Sequence, residues 1–138
     1  MSLSHVQKAV GGPFAVICPV LKTHFRITRG EMAYFHSSDI ARRGYCRDCG
    51  TPMLFDYPDY PDLGLMVGTF DEPSHVPPVI QYGNESRVSW YNELGKLPGN
   101  TPTYASDPGM LQRISGSNHQ HPDHDTPHWA PHPGGQHQ

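Results

Sequence analysis

The run Arg42-Arg-Gly-Tyr-Cys-Arg-Asp-Cys-Gly-Thr-Pro-Met-Leu-Phe55 places Cys46 and Cys49, two residues apart, between two strand-like segments. Zinc favours tetrahedral soft donors, and thiolates at this spacing reach one ion from a single tight turn. Gly50 follows the second cysteine where such a turn needs a residue tolerant of positive φ. Strands on both sides argue against a thioredoxin-like redox pair, which sits at a helix N-terminus. A redox pair and two inert thiols stay open as alternatives, because one CxxC is half a zinc site.

Upstream, Met32 to His36 reads as a strand returning from a turn at Arg29-Gly-Glu31, and His24 to Thr28 alternates polar and apolar like a half-buried strand. The mostly apolar run Phe14 to Leu21 predicts a strand buried on both faces. Ser4 to Ala9 predicts one short helical turn, stopped by Gly11-Gly-Pro13. Downstream, Tyr57 to Asp62 is a proline-punctuated loop. Leu63 to Phe70 predicts another strand, Asp71 to Ser74 a turn, and Val79 to Tyr82 a further strand, before a segment that ends at Trp90-Tyr91. No internal repeat is visible.

These readings divide the chain into a β domain over 1–97, a loop or linker over 98–116 and a His/Pro-rich disordered tail over 117–138. The tail holds six of the ten His, four Pro and one large hydrophobe, Trp129. Such a segment buries too little apolar surface to offset its ordering entropy. A solvated tail is the simplest reading, and weak metal binding is the functional one.

Composition agrees with a small β-rich domain. The hydrophobic fraction is 36%, and 14 Gly with 15 Pro disfavour a helix bundle. A net charge of −3 with no basic run leaves no footprint for nucleic acid. No apolar run reaches the ~18 residues of a membrane-spanning helix. Three cysteines, an odd number, do not suggest a disulfide framework, so a reducing compartment is expected, the cytoplasm or the nucleus.

The remaining zinc ligands are harder to place. Cys18 lies inside an apolar run and reads first as a small buried hydrophobe. His5, His24, His36 and His75 each have donor chemistry, yet none has His-x₃₋₅-His spacing, and an isolated His is more often a surface residue. Arg42 and Arg43 have the chemistry to orient an anionic substrate, with solvated strand-edge charges as the plainer reading. Asp71 has acid–base chemistry, although a turn-initiating Asp explains it more simply.

Taken in order, Gln7-Lys-Ala-Val-Gly-Gly-Pro-Phe14, Phe25-Arg-Ile-Thr-Arg-Gly-Glu31, Tyr34, Arg42 to Gly50, Val67-Gly-Thr-Phe-Asp-Glu-Pro73, Pro77-Pro78 and Ser89-Trp90 resemble the glutathione-dependent formaldehyde-activating enzyme family, also called the centromere protein V/GFA domain. The resemblance covers roughly Gln7 to Trp90. It implies a mainly β, Mss4-like (β-tent) fold with two zinc sites, and carbon–sulfur lyase chemistry on glutathione–formaldehyde adducts. A structural Cys₄ zinc would join an N-terminal CxC to the later CxxC. A C-x-C-x-x-C cluster just before the Gln-Lys segment would hold the catalytic zinc.

This sequence departs from that pattern. Counting back from Gln7, the catalytic cysteines would fall at Met1, Leu3 and Val6, none of which is a cysteine. Only Cys46 and Cys49 match family ligand positions. The expectation is an N-terminally truncated member with a structural half-site for Zn²⁺, no catalytic residues and no lyase turnover. The competing expectation is a non-catalytic zinc-binding interaction or structural module. Glutathione or an adduct is the expected partner, and a homodimer would pool two CxxC pairs into one Cys₄ site.

Overall fold

A computed structural model describes residues 4–99, 107–120, 122, 124 and 126–128. Five strands, β1 (Ile17–Leu21), β2 (Met32–Ser38), β3 (Ala41–Cys46), β4 (Pro52–Asp56) and β5 (Asp62–Met66), form one antiparallel sheet in the order β1-β5-β4-β3-β2. From β2 to β5 this is a meander of short connections, and β1 closes the far edge by pairing with β5. The chain is mainly β, as composition implied.

Cross-strand partners share a face, so the register sorts the side chains. Phe35, Arg43, Phe55 and Gly64 form one row, and Tyr34, Gly44, Leu54 and Leu65 form the adjacent row on the other face. Helix α1 (Ser4–Val10) covers the Phe55 face: Val6, 1% exposed, packs with Ala15 and Met66, flanked by Val10, Ile17 and Phe55. The helix stops at Gly11, whose φ of 63° lies in the left-handed region. On the opposite face Leu54 and Leu63 are buried. Gly44 is required there, since a Cβ on it would stand 2.9 Å from Leu54 Cγ.

Several expected strands come out differently. The Phe14–Leu21 run is not buried on both faces. Only Ile17–Leu21 is a strand, and it lies at the sheet edge with Leu21 exposed. Pro19, which has no N–H to donate, fits an edge strand and would interrupt a central one. Residues 24–28 form no strand. A 3₁₀ turn at Lys22–His24 turns the chain out of the sheet, and residues 25–28 have no ladder partner among the described residues. The fifth strand ends at Met66 because a 3₁₀ turn, Val67–Thr69, takes over, with the Thr69 hydroxyl donating to Met66 O at 2.7 Å. Residues 79–82 lie outside the sheet, with Val79, Ile80 and Tyr82 exposed.

Within the span read as a linker, Pro108–Gly116 is a helix, α2, preceded by Asp107 and closed by Ser117 N–H bonding to Arg113 O and Ile114 O. Much of the span read as a disordered tail lies outside the described residues.

Candidate metal centre

The β3–β4 connection is built by the backbone. Cys46 N donates to Thr51 O at 2.9 Å, and Gly50 N donates to Cys46 O at 2.9 Å. Gly50 has φ of 74°, the left-handed conformation expected after the second cysteine. The turn is tied to the start of β2 by Arg47 N bonding to Glu31 O and by an Arg47–Glu31 ion pair.

Both thiols line the same cavity, close enough that each influences the other's ionisation. Burial pushes the Cys46 thiol up. Burial pushes Cys49 the same way, but hydrogen bonds from the Thr51 hydroxyl, the Thr51 backbone and the Cys46 thiol outweigh it and hold Cys49 below its ordinary value. The Cys49 Sγ to Thr51 Oγ1 distance is 3.0 Å. Cys49 is thus the more readily ionised of the pair, and the thiolate is the form that binds a metal. As a donor set the pair fits zinc, and it supplies half a tetrahedral shell.

Both thiols open onto a cavity of about 600 Å³. Its walls come from three places: the extended segment Phe25–Met32, the loop after β5 with Thr69 and Asp71, and the C-terminal segment with Gln120, Pro122 and His124. Among the described residues no three His, Cys, Asp or Glu side chains stand together as a group able to hold a metal ion.

The other sequence candidates divide cleanly. Cys18 pairs with Leu65, Leu65 with Leu54 and Leu54 with Gly44. Three strand spacings of ~4.8 Å therefore put it about 14 Å from the strand that carries Cys46. It is half-buried at the sheet edge and takes no part in the site. His5, His24, His36 and His75 are exposed, and none lines the cavity. Asp71 does line it.

Arg42 and Arg43 point elsewhere. Arg42 lies over the Tyr34 ring and donates from Nε to Asp56 Oδ2 at 2.7 Å. Lys22 Nζ stands 2.8 Å from Asp56 Oδ1, and its directed hydrogen bonds go to Tyr57 O and Pro58 O. Burial alone would raise the Asp56 pKa, but these two cations bring it below its ordinary value. Arg43 is 8% exposed beneath Phe55, its terminal nitrogens have no hydrogen-bond partner among the described residues, and burial lowers its pKa. Neither arginine serves an anion in the cavity. Of the two arginines that line it, Arg26 and Arg29, neither was singled out from the sequence. His124, which also lines it, lies in the tail whose histidines were read only together, as solvated or weakly metal-binding.

A family model described as glutathione-dependent formaldehyde-activating enzyme matches residues 4–85, more than half of the chain. No curated protein and no solved structure matches the chain.

Proposed function

Because the chain belongs to the glutathione-dependent formaldehyde-activating enzyme family, we propose that it is an Mss4-like domain that binds zinc through Cys46 and Cys49 and receives glutathione or its formaldehyde adduct in the adjoining cavity. Zinc bound there would cross-link the β3–β4 turn and stabilise thiolates. Arg26 and Arg29 on the cavity wall offer cationic groups for a tripeptide carboxylate. With a net charge of −3, nucleic acid is not a proposed partner. Three free cysteines suit a reducing compartment, for which we propose the cytoplasm or nucleus.

The family's carbon–sulfur lyase chemistry is proposed to be silent in this polypeptide. One observation carries that reading: Val6, at the third position where the resemblance places a catalytic cysteine, is an aliphatic side chain 1% exposed in the α1–sheet core. A ligand for an open catalytic metal must reach the substrate, and this position does not.

The test is zinc per chain together with native mass, followed by incubation with glutathione and formaldehyde. Metal bound by the wild type and lost in Cys46→Ser, with adduct formation no faster than the spontaneous reaction, supports the proposal. Adduct formation accelerated by the wild type and abolished in Cys46→Ser would overturn the silent-enzyme reading. A wild type that takes up no zinc would overturn the metal reading.

The second reading, a non-catalytic interaction module, draws on the exposed apolar side chains of Val79, Ile80 and Tyr82. A second copy pooling its CxxC pair is the homodimer version, and half a zinc per chain at the mass of a dimer would identify it.

A further inference from the structure

We infer that a second cavity, at the open end of the β3–β4 hairpin, binds the carboxylate of a small apolar acid through the guanidinium of Arg42. The inference stands apart from the zinc reading, because this cavity shares only Phe25 with the one that the thiols line.

The strand register assembles the site. Arg42 pairs with Asp56 on the face of the sheet that also carries Tyr34, Gly44 and Leu54. Asp56 accepts the Arg42 Nε–H, and the guanidinium lies 4.4 Å from the centre of the Tyr34 ring. These two contacts hold the guanidinium plane while using one of its five N–H groups. Those on its terminal nitrogens have no hydrogen-bond partner among the described residues. The Arg42 side chain is 36% exposed, so a ligand can reach it.

Charge decides what kind of ligand. Lys22 Nζ has oxygens on three sides, Tyr57 O at 2.7 Å, Asp56 Oδ1 at 2.8 Å and Pro58 O at 2.9 Å. Its three N–H groups are therefore occupied. Two cations face one carboxylate here, which leaves one positive charge. The carboxylate itself is sealed from solvent. An incoming ligand thus meets the guanidinium first, and a single negative charge neutralises the site.

The rest of the wall is apolar: Phe25, Leu54, Pro58 and Leu63, with the Tyr34 ring beneath Arg42. A volume of about 280 Å³ suits a molecule smaller than most cofactors. Such walls favour an apolar monoacid over inorganic phosphate, whose further charge would be desolvated without a partner. A planar carboxylate also matches the free guanidinium edge with two parallel hydrogen bonds.

The test is a nuclear magnetic resonance titration of the ¹⁵N-labelled full chain with benzoate, benzamide and inorganic phosphate as probes. Expected is saturable binding of benzoate, with shifts centred on the amides of Tyr34, Arg42 and Leu54 and on the Arg42 Nε–H. Benzamide, a neutral molecule of the same shape, should bind about tenfold more weakly, since it lacks the charge that strengthens the paired bonds. Arg42→Lys keeps a cation beside Asp56 but loses the planar fork, so its affinity for benzoate should also fall about tenfold. The comparison of benzoate with benzamide on the wild type decides the matter even where that variant does not fold. Equal affinity for benzamide would overturn the inference and leave an apolar pocket. Phosphate binding as tightly as benzoate would overturn it in favour of a general anion site. Benzoate shifts centred on Arg26 and Arg29 would move the anion to the other cavity, and no saturable binding of benzoate would end the inference while leaving the zinc reading intact.

Discussion

The β3–β4 hairpin has two ends that treat polar groups in opposite ways. At the open end Asp56, 2% exposed, is held between Lys22 and Arg42, so a buried charge meets its countercharges within the chain. At the turn, Cys46 and Cys49 face a cavity with no third donor gathered among the described residues. The same two strands thus carry a closed ionic corner and an incomplete donor set. A buried charge left unpaired is expensive, so the corner has to be satisfied on folding, whereas half-buried thiols tolerate waiting for a ligand. The difference separates an end satisfied within the fold from the end proposed to bind metal, and each can be tested alone.

The largest effect is expected from Arg42→Met. It removes the Nε–H···Oδ2 bond and leaves the buried carboxylate of Asp56 with Lys22 alone. Asp56 is buried but its two cations are about a third exposed, so loss of one costs at most about 3 kcal/mol, read as a drop in the urea midpoint without change of slope. Zinc uptake per folded chain should be unchanged. A large loss of metal in this variant would show that the two ends are coupled.

Acid should reach the same corner next. The Asp56 pKa is depressed in the fold, so its stabilisation is complete above the unfolded-state value near ~4. It is lost as pH falls through the lower folded-state value. Asp56→Asn removes that dependence, and stability measured from about pH 6 downward should fall less steeply than in the wild type. Equal slopes would mean that other carboxylates carry the acid response.

The corner and the turn were not equally legible in the sequence. The hairpin around Cys46 was readable because local signals agree: short strand-like runs on both sides, and Gly50 where φ must be positive. Residues 24–28 and 79–82 carry β-like patterns but stay outside the sheet, because strand propensity records fit to a neighbouring strand and these segments have none. Pro19 was the missed clue that β1 is an edge, and Asp107-Pro108 the missed start of α2. The ionic corner joins residues 22, 42 and 56, and the cavity joins residue 124 to the turn. Neither pairing has a periodicity or a motif, since both arise only once the sheet is assembled.

Gly50→Ala moves the test to the turn with an intermediate effect. Nothing lies within 4 Å of the added Cβ, so the penalty is conformational only. Holding a residue other than Gly at φ of 74° costs about 1–2 kcal/mol. The turn either keeps its shape at that expense or relaxes and separates the thiols. Thermal melting gives the penalty, and zinc titration tells the two outcomes apart: retained affinity means the turn held.

The smallest effect, and the sharpest contrast with the corner, is expected from Cys46→Ser in metal-free protein. The turn is closed by Cys46 N to Thr51 O and Gly50 N to Cys46 O, bonds that no side chain supplies. Exchanging a half-buried thiol for a hydroxyl should then change stability by no more than about 0.5 kcal/mol. Zinc reverses the comparison. A ligand at about 100 times its Kd stabilises the fold by about 2.7 kcal/mol, so the wild type should melt higher with zinc than with chelator while Cys46→Ser stays flat. A Cys46→Ser loss as large as that of Arg42→Met without metal would mean that the turn, too, is a stabilising end. A wild-type melting temperature indifferent to zinc would leave the hairpin without a metal-binding end.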